Sequence, residues 1–516
     1  MPDLQEQRQA APAVEERGPT LEEQGKSPLR EMLMIAAPSV ATMTSYTVMQ
    51  FVDKLMVKDI GPEPIYVAAQ GNGGILAWTA MSFALGATGV LNSFVSQNLG
   101  AGRPREGARY AWNGLYLSVI YYLAIVVPIA MLVPAYYAWL GAQAAHTPRL
   151  IELETSYARI MLFGGIFTLC ARALSHYFYG MHRPWVVLVA ALTGNLTNVF
   201  LNWVLIFGNL GAPRLGIEGA AYATVLGGLA ELVIPMVLFL SLRYRREFGT
   251  HLAWRWSGRS IKDIVRVGWP AGAMFTNEIL CWQYLMVALI PTAGRLAGDD
   301  PQLHNTAGWI GLQYMHLSFM PAVGVSIATT ALVGKAMGMG RPDLAHRRTM
   351  LGMKLTLAYM GLCAVAFLVF REQAIAVFVD ADTPPEVRAR LVAIGAKVMI
   401  AAAIFQLFDA VAIVISGALR GAGDTVWPGA ATILLSWTCI VGGGHLILWL
   451  FPGIGSVGPW AGAALYIISL GTALMVRYAG GRWRTMSLVR PDPGADVTDG
   501  APEPGIAVAE AAPGTA

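Results

Sequence analysis

Two stretches decide the fold: GATGVLNSFVSQNLGAGRPREGAR at residues 86–109 and GVSIATTALVGKAMGMGRPDLAHR at residues 324–347. They align without a gap at an offset of 238, with seven identities in 24 positions. Six of the seven are Gly, Arg or Pro (Gly86/Gly324, Gly100/Gly338, Gly102/Gly340, Arg103/Arg341, Pro104/Pro342, Arg109/Arg347). Other landmarks recur in the same order. Pro38 corresponds to Pro270, Gly180 to Gly421, and 215–219 (LGIEG) to 454–458 (IGSVG), 232 to 241 residues apart. A repeat of that period covers half a chain, so the sequence predicts two copies of one unit.

Composition says what solvent the units meet. Hydrophobic residues are 55% of 516 and charged residues 13%, against about 25% charged in soluble domains. A spanning helix needs about 20 apolar residues. Runs of that kind predict helices near 32–58, 66–98, 110–133, 155–180, 184–208, 216–242, 264–291, 304–337, 345–370, 387–419, 426–451 and 457–478. Alternate connections, together with the two tails, carry 23 Lys and Arg; the opposite connections carry seven. Basic residues favour the cytoplasmic side, which places both termini there and requires an even number of spans. The fold class predicted is an all-α polytopic membrane protein, twelve transmembrane helices in two six-helix bundles related by a pseudo-two-fold axis. Its parts are a disordered cytoplasmic tail at 1–30, an N-lobe at 31–245, a cytoplasmic connection at 246–262, a C-lobe at 263–480 and a second disordered tail at 481–516. The first tail has no apolar core with a cleavage site and does not read as a signal peptide. Four scattered cysteines read as small buried hydrophobes.

An ionisable group inside a span costs at least ~2.5–3.5 kcal/mol at a helix centre and marks a functional site by default. Asp53 lies five residues from the outer end of the first helix. Asn195, Asn198 and Asn202 form one stripe on the fifth helix, and Thr224 on the sixth lies at similar depth. A carboxylate with amide and hydroxyl oxygens suits a hard cation such as Na⁺, and equally a titratable carboxyl in an apolar setting; packing asparagines alone would serve only to tie helices. Glu278 and Asp409 match in depth in the second half and could draw an organic cation, bind a coupling ion or share a proton. Arg172 and Glu231 read as a structural pair. The loop at about 294–305 looks long and has no role that the sequence supplies.

With these residues in view, the chain resembles the multidrug and toxic compound extrusion (MATE) family, in its NorM-like branch. The resemblance rests on Pro38 with Phe51-Val52-Asp53, on Gly100 to Arg103, and on Asn198 to Trp203 followed by Gly211-Ala212-Pro213 and Ala223-Thr224. It rests further on Pro270 with Glu278, and on Phe405 to Val411 continuing to Gly417 and Arg420-Gly421. It covers about residues 30–480. It implies alternating access and export of small organic cations or amphiphiles in exchange for inward Na⁺ or H⁺. By position, Asp53, Asn198, Asn202 and Thr224 are the implied N-lobe cation site, and Glu278 and Asp409 the C-lobe acids. Asn202 is an Asp in some relatives, which leaves one carboxylate here and the coupling ion open. A lipid-linked oligosaccharide flippase or a dedicated natural-product exporter are the rivals; the intramembrane acids favour cation handling. No metal-binding His/Glu pair and no nucleotide loop is present, so the expectation is a monomeric transporter, not an enzyme, with no catalytic residue, no cofactor beyond the coupling ion and no nucleic-acid partner.

Overall fold

A computed structural model of the chain describes residues 27–61, 65–143, 147–379 and 383–490. Residues 1–26 and 491–516, most of the two expected tails, lie outside the described residues. Among the described residues, twelve helices are long and apolar enough to span a bilayer. They are α1 (Pro28–Lys58), α2 (Ile65–Gly100), α3 (Pro104–Gly141), α4 (Pro148–Gly180), α5 (Pro184–Phe207), α6 (Ile217–Leu240), α7 (Gly258–Leu296), α8 (Pro301–Gly338), α9 (Pro342–Val369), α10 (Pro385–Ala422), α11 (Val426–Leu450) and α12 (Val457–Ala479).

Seven of these helices begin with Pro, at the first position, where a missing N–H costs nothing. Pro104 and Pro342 each follow the Gly-Arg turn shared by the two repeats, and Gly102 and Gly340 both adopt positive φ there, at 75° and 69°. The helices are longer than the apolar runs alone suggest, because the polar first turns at Pro28, Pro148 and Gly258 are already helical. The expected loop at about 294–305 shortens to four residues, 297–300, as α7 and α8 extend beyond the apolar runs. Asp299 in that turn accepts from Arg390 at the start of α10 and from His304 Nε2 at 3.3 Å. Burial alone would raise the Asp299 carboxyl, but the Asp300 N–H and the Arg390 guanidinium outweigh it and hold it below the usual carboxylate range.

The pseudo-two-fold relation is visible in which glycine touches what. A Cβ on Gly100 would lie 2.0 Å from the Lys335 carbonyl oxygen, and one on Gly338 would lie 1.9 Å from that of Gln97. Residues 97 and 335 are themselves related by the offset of 238, so the two contacts are one contact seen from both repeats. Gly86 packs on Ala271 and Gly272; its counterpart Gly324 packs on Ser39 and Val40, which map onto 271 and 272. Gly180 lies on Asn92 and Val95, and Gly421 on their counterparts Thr330 and Val333. In lipid, helices associate through such close backbone approach, since apolar side chains gain nothing by leaving the acyl chains. Small residues at fixed repeat positions therefore specify the architecture.

The first two pairs of contacts join the lobes. Both described ends, Ser27 and Arg490, lie on one face of the bundle, called here the terminal face. From that face to mid-span the seam carries hydrogen bonds from Asn92 to the Ile327 carbonyl (3.2 Å), Ser93 to that of Arg420 (2.7 Å), Gln97 to that of Gly421 (2.9 Å) and between Ser82 and Thr276 (2.8 Å). A buried ion pair, Arg348 to Glu31 at 2.6 Å, joins the starts of α9 and α1.

The linker between lobes is also bound. Trp112 donates to the Thr250 carbonyl and the Ser257 N–H to Asn113 Oδ1, both at 2.9 Å, and Tyr116 stacks on Trp256. This ties the linker to α3.

Candidate functional site

Asp53 sits on α1, five residues from its far end, and is buried. Asn202 on α5 donates to its Oδ1 at 2.5 Å and Gln70 on α2 to its Oδ2 at 2.6 Å. The Asn202 amide group is also within 2.8 Å of Asn198 Oδ1, and Asn198 in turn donates to Thr224 on α6 at 3.1 Å. Four of these five residues, all but Gln70, are those that depth matching picked out. The helix spacing of Asn198 and Asn202 stacks them one turn apart, and Gly227 lets α6 approach: a Cβ there would lie 2.9 Å from that of Asn198. Asn195 does not join; it bonds Ser45 at 3.2 Å.

Gln70 was not expected from the sequence, nor was Tyr157 on α4, which lies beside Gln70 and Thr224 and within the field of Asp53. A signal for Gln70 was available. It is five residues into α2 from the far end, as Asp53 is five from the far end of α1.

An ionised carboxylate only accepts hydrogen bonds, so both amides must turn their NH₂ groups to Asp53. Their oxygens then point elsewhere, and Gln70 Oε1 and Asn202 Oδ1 are buried with no hydrogen-bond partner. An unsatisfied buried acceptor costs about 1–3 kcal/mol. Asp53 is thus held by two amide donors, and the two amide oxygens on the same side chains are left without a partner.

The second set is built differently. Glu278 on α7 accepts from Tyr466 on α12 at 2.8 Å. Asp409 on α10 lies within electrostatic reach of Glu278 and of Tyr466. Both acids are half-buried. The Arg420 guanidinium also acts on Glu278. Arg420 counts as a loop residue by sequence, yet it closes the last turn of α10 and is half-buried. Nearby, Asn277 donates to Ser436 and accepts from the Trp437 indole, each at 2.7 Å, where α11 widens into a π-helical stretch, Ser436–Gly443. Such widenings are frequent at functional sites.

Arg172 and Glu231 meet at 3.9 Å. Tyr46 completes the group, donating to Glu231 at 2.5 Å with its ring under the Arg172 guanidinium at 4.1 Å. They form a polar tie among α1, α4 and α6.

A duplicated six-helix unit with isolated carboxylates at matched depths in each lobe defines a two-bundle membrane transporter. The MatE family model matches residues 38–204 and 302–443, and the chain belongs to that family. It is similar to the probable multidrug resistance protein NorM of Mesorhizobium japonicum, 26% identical over 87% of this chain and 93% of that one. It is 28% identical to the multidrug resistance protein PmpM of Pseudomonas aeruginosa, over 88% and 92%. Among solved structures, an outward-facing multidrug resistance MATE family transporter of the MOP superfamily superposes with a TM-score of 0.73 at 22% identity, covering 89% of this chain and 96% of that one. The eukaryotic MATE transporter AtDTX14 gives 0.75 at 16%, with the same coverage.

Proposed function

We propose that the protein is a secondary antiporter of the inner membrane, with both termini cytoplasmic, that exports small organic cations and amphiphiles in exchange for inward Na⁺. The observation that carries the reading is the pair of orphaned amide oxygens, Gln70 Oε1 and Asn202 Oδ1, flanking the buried Asp53. A proton would need only the carboxylate. A small hard cation uses carboxylate, amide and hydroxyl oxygens together, and Asp53, Gln70, Asn198, Asn202 and Thr224 supply them. Glu278 and Asp409 with Tyr466 then serve the cationic substrate, or exchange a proton as it arrives and leaves.

With the terminal face sealed from its surface to mid-span, the conformation is the one in which Na⁺ and released substrate would exchange with the far side. Na⁺ entering between α1, α2, α5 and α6 draws those helices together around Asp53. That gives the ion a different affinity for the two states, which coupling requires. The drug class is inferred from the acids here and from the names of the relatives.

Expression in a drug-sensitive host that lacks its own pumps should raise tolerance to ethidium or to fluoroquinolones. Efflux should stop when the ion gradients are collapsed and continue when ATP is depleted with the gradients clamped. Efflux that persists without any ion gradient would contradict the proposal.

A further inference from the structure

The chain after α12 is expected from sequence to be a solvated tail from residue 481, but residues 481–490 are ordered against both lobes. Gly481, at φ 73°, turns the chain into a short 3₁₀ stretch, Arg482–Thr485. Trp483 is buried, stacks on Tyr478 at 4.8 Å, and donates to the Tyr478 carbonyl at 2.9 Å. That anchors the segment to the C-lobe. The chain then crosses the seam. The Leu488 N–H donates to Gln97 Oε1 at 2.7 Å, while the same Gln97 side chain donates to the Gly421 carbonyl. Leu488 itself is buried and belongs to the apolar cluster that includes residues of α2, α3, α4 and α7. Arg490 pairs with Asp263, which also accepts from Tyr110 on α3 at 2.9 Å, and Arg103 donates to the Arg490 carbonyl at 2.7 Å.

The pseudo-symmetry shows that the segment occupies a place made for it. His182 and Gly423 are related by the offset of 241 that relates Gly180 to Gly421, and both adopt positive φ, 57° and 102°. In the N-lobe the His182 side chain fills the position and bonds the Ala331 carbonyl across the seam at 3.0 Å. In the C-lobe glycine leaves it empty, and Leu488 fills it: a Cβ on Gly423 would lie 2.9 Å from the Leu488 side chain.

From this geometry we infer that residues 481–490 are a built-in latch that holds the terminal face shut. The inference rests on the alternating-access reading above, because opening that face parts Gln97 from Gly421 and so breaks the anchorage of Leu488. The latch favours the far-face-open state and has to be released once in every cycle. Trp483 keeps the segment on the C-lobe throughout; the contacts at Gln97 and Arg103 are the ones that exchange.

The test places spin labels at 109 and 347, exposed positions on opposite lobes of the terminal face, in a chain with its four cysteines replaced. Distances are measured in the wild-type background, in a chain ending at Arg490, in one ending at Met486, and in the double variant Leu488→Ala, Arg490→Ala. The chain ending at Arg490 should match wild type. The chain ending at Met486 loses both backbone hydrogen bonds to the N-lobe, and the double variant loses the buried Leu488 side chain and the Arg490–Asp263 pair that positions the end of the segment; each should raise the ratio of long to short distances by about tenfold. If the shorter chain fails to reach the membrane, the double variant decides alone. Unchanged distances in the double variant at normal abundance would overturn the latch. The readout needs neither Na⁺ nor drug, so failure of the coupling proposal would leave it intact.

Discussion

The two lobes repeat each other's backbone but not each other's chemistry. The offset of 232 that maps Pro38 onto Pro270 maps Asp53 onto Leu285 and Tyr46 onto Glu278. Thus where α1 carries the buried carboxylate of Asp53, α7 carries a buried leucine at the start of a π-helical stretch, Leu285–Leu289. A tyrosine–glutamate hydrogen bond occurs in both lobes, Tyr46 to Glu231 and Tyr466 to Glu278, with the acid and the phenol on opposite partners. In the N-lobe the glutamate pairs with Arg172 at 3.9 Å; in the C-lobe it faces a second acid, Asp409, with the Arg420 guanidinium also acting on it. The duplication supplies helix paths and glycine contacts, and each lobe has spent its polar positions on a different task. One holds a carboxylate wrapped in amides. The other holds a pair of acids with a phenol.

That contrast can be broken by substitution, and the largest effect belongs to Asp53. Asp53→Asn keeps the volume and the hydrogen bonds to one side but removes the charge on which the proposed ion site depends. Gradient-driven efflux should fall to background while the protein still reaches the membrane. Glu278→Gln and Asp409→Asn act in the other lobe and should each reduce efflux about tenfold or more, about 1.4 kcal/mol of lost stabilisation, with a changed preference between cationic and neutral substrates. If the Asp53 and Glu278 variants had indistinguishable ion and substrate dependences, the division of labour between lobes would be wrong.

A smaller effect sharpens the N-lobe account. Gln70→Ala removes one oxygen from the proposed site and one donor from Asp53. The Na⁺ concentration for half-maximal efflux should rise about three- to tenfold, as one lost hydrogen-bonding partner suggests. Thr224→Ala should rise by less, because its hydroxyl also bonds the Ala220 carbonyl at 2.9 Å. A rise in the drug concentration needed, with the Na⁺ dependence unchanged, would remove Gln70 from the ion site. The smallest effect on turnover is expected from Arg172→Gln with Glu231→Gln. Losing a polar tie among three helices should lower abundance and leave the rate per molecule near wild type, measured by quantifying protein in the same membranes.

Much of this was legible in the sequence for physical reasons. Spans are long and apolar because lipid allows nothing else, and the repeat showed through Gly, Arg and Pro because those residues make the turns and the close contacts. Depth arithmetic brought Asp53, Asn198, Asn202 and Thr224 to one level, because a helix rises by a fixed 1.5 Å per residue. Gln70 escaped because an uncharged amide inside a span carries no charge to mark it, and with Asn72 only two residues on it forms no stripe on one helix face. The ordering of 481–490 escaped for a related reason. Only Trp483 and Leu488 bury themselves there, in a short segment of mixed composition followed by Pro, Gly and Ala. Arg348 and Arg420 read as loop charges because position along the chain does not reveal that a helix turn has folded them into the seam or the lobe.

The most direct test of the coupling claim uses purified protein in proteoliposomes, with a cationic dye inside and the pH equal on both sides. An inwardly directed Na⁺ gradient should drive dye release in the wild-type protein, saturating with external Na⁺, and should fail to do so with Asp53→Asn. Release driven equally well by a pH gradient with Na⁺ absent, or undiminished Na⁺-driven release by the Asp53→Asn protein, would contradict the assignment of the Asp53 cluster as a sodium site.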